Sequence, residues 1–284
     1  MPKKSFAPPV ILSIAGSDNS CGAGIQADLK TISALGGYGL TAVTCVVAEV
    51  PGRVEAIQPM RPEVVASQVR LCFEAFPVAA AKTGMLYSTA IIRAVAREIF
   101  ARPTRPPLVV DPVMVASSGD PLLQKSALAA YRNLLFPLAA LVTPNVDELR
   151  VLSGQECRTL PEIESAGKSL AARHQCPFLL KGGHLRAREA VDLLVFPDGA
   201  SQRFSAPFRR GADTHGTGCT FSAAIAVGLG AGLPLPEAVA VGKQFISRAI
   251  DERLRWGATS ALNHFAAALP GTFGGERMSE NGKP

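Results

Sequence analysis

One stretch decides how this chain is interpreted: Asp213-Thr214-His215-Gly216-Thr217-Gly218-Cys219-Thr220, followed by an apolar run over residues 221–233. Two glycines one residue apart, at the start of a predicted helix, leave several backbone N–H groups pointing into one cavity, and such a cavity binds anions. Cys219 falls in the first turn of that helix, where the positive end of the helix dipole favours a thiolate. We therefore expect a base or a nucleophile there. The pattern also fits a loop that only turns the chain, with a cysteine that packs as a small hydrophobic residue.

The composition limits the classes of protein to consider. The chain has 284 residues, of which 48% are hydrophobic, and this is enough for a sizeable core. Its six cysteines have no paired spacing, which argues against a disulfide framework and a structural zinc site and favours a reducing compartment. The apolar run at residues 10–15 is too short for a signal peptide, and no run approaches the length of a membrane span. We expect a soluble, cytoplasmic protein.

The charge is mildly basic. A net charge of +6 comes from 29 basic and 23 acidic residues that are scattered along the chain, without a Lys/Arg block or interleaved aromatic residues. This gives little support to nucleic-acid binding. A basic surface suits anionic small molecules, although a solvated basic face explains it equally well.

Short β-rich runs alternate with longer helical patterns, which is typical of a layered α/β domain. The predicted strands are residues 10–15, 41–47, 79–83, 108–110, 140–143 and 178–181, with a hairpin at 190–196 and 201–207. The predicted helices are residues 22–35, 62–75, 88–100, 125–134, 145–153, 162–173 and the segment from 221 onward. Nothing reads as a repeat or an interdomain linker. We expect a single domain over residues 10–270, with flexible tails at 1–9 and 271–284.

Polar residues recur at one kind of place, the C-terminal end of each predicted strand. In a parallel α/β sheet these ends line the ligand crevice. One such residue is usually a loop or cap residue, and Asn145 with Glu148 fits a helix capping box. Six in series indicate a functional site: Asp18, Glu49, Lys82, Asp111, Asn145 and Lys181.

Several motifs occur in a fixed order, and together they are far more specific than any one of them. They are Ala15-Gly16-Ser17-Asp18, Gly22-Ala23-Gly24-Ile25-Gln26-Ala27-Asp28-Leu29-Lys30, Lys82-Thr83-Gly84-Met85, Asp111-Pro112-Val113-Met114, Thr143-Pro144-Asn145 with Glu148, Lys181-Gly182-Gly183-His184 and residues 214–219. In this order they resemble the hydroxymethylpyrimidine/phosphomethylpyrimidine kinase family of thiamine biosynthesis, a branch of the ribokinase-like fold. The resemblance covers roughly residues 10–250.

The resemblance implies a fold class, an activity and cofactors. The fold class is α/β: a ribokinase-like three-layer sandwich with a mostly parallel central sheet and helices on both faces. The implied enzyme is a bifunctional kinase that phosphorylates hydroxymethylpyrimidine and then its monophosphate, with ATP as phosphoryl donor and Mg²⁺. A homodimer that binds small molecules, and neither nucleic acid nor membrane, is implied as well.

The resemblance also assigns roles in phosphoryl transfer, a reaction that needs positioning and charge stabilisation more than covalent chemistry. The amide groups of Gly216, Thr217, Gly218 and Cys219 would hold the transferred phosphoryl group, and the Cys219 thiolate would take the proton of the acceptor hydroxyl. Sugar-kinase relatives have an aspartate in place of this cysteine. Asp111 and Glu148 match positions that arrange Mg²⁺ through water. The residues implied for ATP are Asn145, Lys181 and Thr214.

For the acceptor, the resemblance places Gly16, Asp28, Glu49, Met85 and Val113 around the pyrimidine ring. Met85 and Val113 would supply apolar contact, and Asp28 and Glu49 would orient the ring. Asp28 also fits a solvated residue on a helix surface. The better-known family members carry glutamine in place of Glu49, and a carboxylate only accepts unless the ring supplies a proton.

A second departure puts the shape of the lid over the acceptor in doubt, because Asn19-Ser20-Cys21 replaces the more usual Pro-Ser-Gly.

Two alternatives stay open. A pyridoxine or pyridoxal kinase has the same fold and the same Gly-Thr-Gly-Cys ending, and Glu49 keeps this alternative alive. A binding protein that has kept the fold and lost turnover is the other.

Overall fold

The fold is described from a computed structural model, over residues 7–115, 122–182, 189–209 and 215–265. One large sheet contains β1 (Val10–Asp18), β2 (Tyr38–Val50), β3 (Arg53–Pro59), β4 (Val78–Thr83), β5 (Leu108–Val110), β6 (Leu141–Val142), β7 (Phe178–Lys181), β8 (Glu189–Val195) and β9 (Ser201–Pro207). The strands follow the order β3-β2-β1-β4-β5-β6-β7-β8-β9. The pairs from β2 to β7 are parallel, and β3, β8 and β9 add antiparallel pairs at the two edges. The predicted mostly parallel sheet is confirmed.

Helices connect the strands and cover both faces of the sheet. They are α1 (Gly24–Ala34), α2 (Pro62–Ala75), α3 (Thr89–Phe100), α4 (Leu128–Ala130), α5 (Val146–Ser153), α6 (Leu160–His174), α7 (Thr217–Gly230) and α8 (Leu235–Asp251). Successive side chains of one strand enter opposite cores, because side chains alternate along a strand. Ile11 packs in a core with residues of α1, α7 and α8, while Leu12 packs in a second core with residues of α2, α3, α5 and α6. The predicted three-layer arrangement is therefore confirmed.

The sequence interpretation missed some elements. The predicted turn at Pro51-Gly52 joins β2 to β3, and β3 was not predicted; Gly52 there has a φ of +83°. A short hairpin of β10 (Leu254–Trp256) and β11 (Thr259–Ala261) was also missed. β3 could not be predicted from the sequence because it is an edge strand with mostly exposed side chains, and its apolar pattern is therefore weak.

The prediction of a single regular helix at residues 125–134 is wrong. The segment consists of a 3-10 turn at Lys125–Ala127, α4, a π turn at Tyr131–Leu135 and a second 3-10 turn at Phe136–Leu138. Pro137 has no N–H to continue an α-helical ladder, which helps to explain the irregular end. Tyr131 is fully buried and donates its hydroxyl to the Gly84 carbonyl over 3.3 Å, so tertiary contacts fix the segment.

Some expectations fall on parts of the chain without description. Residues 271–284 and 1–6 of the expected tails lie outside the described residues, as do Gly183 and His184 of the sixth motif. The single-domain boundary at residues 10–270 stays a prediction. In the described part of the chain, no helix combines the length and the apolar character needed to cross a membrane.

A buried ion pair joins three elements behind the carboxyl ends of the strands. Lys82 of β4 places its Nζ 2.8 Å from Asp28 Oδ2 of α1, and both side chains are almost fully buried. Ser13 of β1 donates its hydroxyl to the same carboxylate over 2.6 Å. A buried pair gains little net stability, but losing one partner leaves an uncompensated charge in the interior.

This pair gives a stability prediction. Lys82→Met should lower the free energy of unfolding by about 3–5 kcal/mol, because it leaves the Asp28 carboxylate buried without its counter-ion. Adding Asp28→Leu should restore most of that loss. Lys168→Met, which breaks a surface pair with Glu164, should cost below about 1 kcal/mol. Urea denaturation measures all three, and a double variant as unstable as Lys82→Met would contradict the explanation.

Candidate active site

The carboxyl ends of the central strands open into one cavity of about 740 Å³. Twelve of the residues predicted for the site line it, in three groups. One group is Gly16, Glu49, Met85 and Val113; the second is Asp111, Asn145, Glu148 and Lys181; the third is Gly216, Thr217, Gly218 and Cys219. Strand ends that are far apart in sequence meet here because parallel strands end at the same edge of a sheet.

Residues 216–219, named here the glycine loop, begin α7. Gly216 has a φ of +78°, and a Cβ at this position would lie 1.8 Å from the Gly22 carbonyl oxygen. Only glycine fits such a backbone conformation at this contact. The first bond across the start of α7 runs from the Thr220 N–H to the Gly216 carbonyl, over 2.9 Å. The amides of Gly218 and Cys219 precede it, so they lie at the positive end of the helix, as an anion site requires.

Cys219 lies in the predicted first helical turn, but its charge state differs from the expectation. Burial raises the pKa of the Cys219 thiol to about 11, against the attraction of the Lys82 ammonium and the hydrogen bond from the Gly24 N–H. The carboxylates of Asp28 and Asp111 add to the rise. The expected lowering of this pKa by the helix terminus is therefore wrong. At neutral pH Cys219 is mainly a thiol.

Lys181 and Asp111 form the polar centre of the cavity. Lys181 Nζ lies 2.8 Å from Asp111 Oδ1, and Thr143 donates its hydroxyl to the same oxygen over 3.0 Å. Burial opposes ionisation of Asp111, but Lys181 and Lys82 outweigh it and lower the pKa of this carboxyl below its ordinary value. Both groups therefore stay charged at neutral pH. Ser222 of α7 also donates to Asp111, over 3.3 Å, which ties this centre to α7.

Asn145 and Glu148 form the capping box that the sequence suggested for α5. The Asn145 side chain accepts from the Glu148 N–H over 2.9 Å, and Glu148 accepts from the Asn145 N–H over 2.8 Å. Burial and the Asp111 carboxylate raise the pKa of Glu148 to about 7, against the attraction of Lys181. The cap thus places an easily protonated carboxylate beside the polar centre.

Asp111 and Glu148 are the two cavity carboxylates that the sequence predicted for Mg²⁺. Among the described residues, no group of three or more His, Cys, Asp or Glu side chains converges as a metal cage. Two carboxylates at the edge of a cavity are the kind of site that binds Mg²⁺, since this ion keeps several waters and binds substrate phosphates as well. The residues present therefore fit Mg²⁺ held jointly with a nucleotide.

Residues 18–24, named here the β1 loop, bring Asp18 of the predicted strand-end series into the cavity beside His215, a residue that was given no role. The Asp18 carboxylate accepts from the N–H groups of Ser20, Gly22 and Ala23 over 2.7 to 3.1 Å. Its Oδ2 lies 3.0 Å from His215 Nε2, next to the glycine loop. These bonds outweigh the effect of burial and lower the pKa of Asp18 to about 2. An aspartate and a histidine almost 200 residues apart give no sequence signal of their pairing.

Glu49 lines the cavity near this pair. Burial and the Asp18 carboxylate raise the pKa of Glu49 above its ordinary value, and His215 opposes the rise. A carboxylate in this position gains most from a cationic partner.

Asp28 corrects a prediction. It was expected to orient a ring in the cavity, but it is not among the lining residues, and its carboxylate is fully buried against Lys82 and Ser13. The alternative, a solvated residue on a helix surface, is also wrong, because α1 turns the Asp28 side chain toward β1 and β4. The structure makes Asp28 the counter-ion of Lys82. Thr214, the third residue predicted for ATP, lies outside the described residues.

The sequence analysis also missed the charged residues at the other end of the cavity. Lys243 of α8 lies 2.7 Å from Asp192 of β8, and an Arg209–Asp251 ion pair lies beside apolar residues such as Phe221. A signal for Asp192 existed, since a lone carboxylate inside the apolar run of β8 needs a partner. The sequence did not show that its partner is Lys243.

Comparisons with known proteins point to one family. The family model of phosphomethylpyrimidine kinase matches residues 18–263. The thiamine biosynthesis bifunctional protein ThiED of Geobacter sulfurreducens is 43% identical over 240 residues, which are 84% of this chain and 49% of that protein. The chain thus spans about half the length of that relative. The hydroxymethylpyrimidine/phosphomethylpyrimidine kinase of Streptomyces coelicolor is 42% identical over 250 residues, 88% of this chain and 91% of that protein.

Two solved structures are similar over most of the chain. Pyridoxal kinase of Bacillus subtilis, in an ADP complex, has a TM-score of 0.84 and 34% identity, and the match covers 92% of this chain and 98% of that one. Phosphomethylpyrimidine kinase of Clostridium difficile 630 has a TM-score of 0.74 and 36% identity, with coverage of 85% and 99%. The expected ribokinase-like fold is confirmed. The family match over residues 18–263 and the relatives at about 40% identity lead to one conclusion: this chain belongs to the phosphomethylpyrimidine kinase family.

Proposed function

We propose that this protein is an ATP-dependent kinase that phosphorylates hydroxymethylpyrimidine and then its monophosphate, giving the pyrophosphate used in thiamine biosynthesis. The observation that carries the proposal is the glycine loop, which contains Cys219 and faces Lys181 and Asp111 within one cavity. Relatives at about 40% identity are named for these two kinase activities, which supports the same reaction. Solved pyridoxal kinases in complex with ADP and AMP-PCP support a nucleotide as donor.

On the donor side, the chain supplies charge and position. Lys181 holds the phosphates of ATP, and Asn145, at the cap of α5, lies beside them. Asp111 and Glu148 would hold Mg²⁺, which when bound neutralises charge on the phosphate oxygens. The Glu148 carboxyl, with a pKa of about 7, releases its proton when a cation binds beside it. The amides of the glycine loop stabilise the charge on the transferred group.

On the acceptor side, Met85 and Val113 lie against the flat ring, and Gly16 leaves room for it. Glu49 faces the protonated aminopyrimidine and accepts its N–H in a charge-assisted hydrogen bond. The acceptor hydroxymethyl group points to Cys219. Because Cys219 is mainly a thiol at neutral pH, the small thiolate fraction, stabilised by Lys82, takes the hydroxyl proton.

Pyridoxal kinase is the second candidate, because solved pyridoxal kinases have high structural similarity to this chain, with a TM-score of 0.84 in the B. subtilis complex. A pyridine ring nitrogen can also be protonated and can also face Glu49. The names of the relatives at about 40% identity favour hydroxymethylpyrimidine over pyridoxal as the acceptor. Homodimer formation, the Mg²⁺ requirement and a cytoplasmic location remain parts of this proposal.

Turnover with defined acceptors tests the proposal. The purified protein is incubated with ATP, Mg²⁺ and either hydroxymethylpyrimidine, its monophosphate, pyridoxine or pyridoxal, and products are identified by mass spectrometry. We expect the monophosphate first and the pyrophosphate after it, with slower phosphorylation of the pyridine compounds. Accumulation of the monophosphate alone would contradict the two-step reaction. Phosphorylation of pyridoxal only would establish the second candidate.

A pH profile tests Cys219. If its thiolate is the base, kcat/KM should rise about tenfold per pH unit below the Cys219 pKa, since the thiolate fraction rises in that proportion. The sign follows from the raised pKa of about 11, which keeps the active form in the minority at neutral pH. Cys219→Ala should lower kcat about 100-fold or more and leave ATP binding unchanged. Cys72→Ala, outside the cavity, serves as the control. A flat profile with nearly full activity in Cys219→Ala would show that the glycine loop works without a thiolate base.

A further inference from the structure

On the side of β2 that faces β1, the backbone at Glu49 is held by a side chain rather than by a strand. The last paired residues of β1 and β2 are Asp18 and Val47. Beyond this pair the Asn19 side chain continues the ladder, because its Oδ1 accepts the Glu49 N–H over 2.7 Å. A side-chain carbonyl thus takes the place of the next backbone rung.

The opposite edge of β2 is irregular at the same residue. Ala48 pairs with Ala56 of β3, but Glu49 pairs with Val54, so the register shifts between them. A bulge of this kind re-aims side chains and is frequent beside active sites. At the bulge, the β3 side alone does not fix the direction of the Glu49 side chain.

Direction matters here because side chains alternate along β2. Val47 and Glu49 line the cavity, while Ala48 and Val50 are exposed. A one-residue slip would turn Glu49 away from the cavity and present Ala48 or Val50 to it. The Asn19 bond therefore fixes which residue faces the ligand.

Asn19 is itself anchored. Its neighbour Asp18 accepts from three N–H groups of the β1 loop and contacts His215 beside the glycine loop. A further constraint comes from Lys30 of α1, which donates to the Cys21 carbonyl over 2.8 Å. The loop is thus held on both sides of Asn19, so Asn19 sets the position of Glu49 relative to the Cys219 end of the cavity.

We propose that Asn19 is a positioning residue for acceptor selection, whose carboxamide holds the bulged backbone of Glu49 so that the Glu49 carboxylate faces the acceptor ring. The inference rests on the proposed function, because that function places the acceptor at Glu49. Asn19 touches no reacting atom and acts only through Glu49. Its effect should therefore disappear when the Glu49 carboxylate is gone.

A double-mutant cycle tests this. Asn19→Leu keeps a similar size but has no accepting oxygen, and Glu49→Gln removes the charge. Each should shift the preference between the pyrimidine and pyridoxine by about tenfold and in the same direction, measured as a ratio of kcat/KM values, while KM for ATP stays unchanged. The double variant should differ from Glu49→Gln by less than about twofold. Ser20→Ala, which removes a different bond of the same loop, should keep the wild-type ratio.

Asn19 is exposed, so its replacement should leave the fold intact, and thermal unfolding checks this. A ratio in Asn19→Leu within about twofold of wild type would overturn the inference, and so would effects that multiply in the double variant. Calorimetric binding of both ring compounds to the four proteins is measured in parallel. If wild type binds the rings but transfers no phosphate, the proposed function fails while the binding cycle still decides the role of Asn19.

Discussion

The contact between the glycine loop and the β1 loop is the constraint on which the site depends. The Gly216 backbone lies so close to the Gly22 carbonyl oxygen that a Cβ at residue 216 would approach it to 1.8 Å. This contact joins the end of the first strand to the start of α7, although almost 200 residues separate them in the chain. The Asp18–His215 contact and the hydrogen bond from Gly24 to Cys219 lie along the same seam. The residues proposed for the acceptor and the amides proposed for the phosphoryl group can therefore share one cavity.

Charge in the cavity is arranged in pairs. Lys181 faces Asp111, His215 faces Asp18 and Lys243 faces Asp192, and the buried Lys82 faces Asp28 behind the wall. Their partners lower the pKa values of Asp111 and Asp18 despite burial, whereas burial shifts the Cys219 thiol and the Glu148 carboxyl toward their neutral forms. In this account Lys181 receives the phosphates, and Cys219 and Glu148 handle protons. The arrangement suits phosphoryl transfer, which relies on fixed charge.

Much of this could be predicted from the sequence, because it depends on local patterns. Alternating strand and helix signals gave the layered fold, and polar residues at strand ends gave most of the cavity lining. Pairing between residues far apart in the sequence could not be predicted. Asp28 was therefore expected to contact the acceptor, whereas its partner in the structure is Lys82. The Asp18–His215 and Asp192–Lys243 pairs were missed for the same reason. The Cys219 pKa was predicted with the wrong sign because a helix terminus is visible in a sequence, while the depth of burial is not. The irregular segment before β6 reflects the buried Tyr131, which is a tertiary effect.

The central claim is that phosphoryl transfer takes place at the start of α7, and single-turnover transfer by Gly218→Ala tests it most directly. A Cβ on Gly218 would lie 3.0 Å from Lys181 Nζ and 3.6 Å from Asp111 Oδ2, so the added methyl group points into the transfer site. Alanine favours a helix by up to about 1 kcal/mol over glycine, so stability should be kept. The account predicts a normally folded protein whose transfer rate falls about 100-fold or more, because the methyl group keeps the phosphoryl group away from Lys181 and the amides, an effect as large as losing one oxyanion-type contact. Transfer at the wild-type rate in a folded Gly218→Ala protein would place the reaction elsewhere and contradict the account.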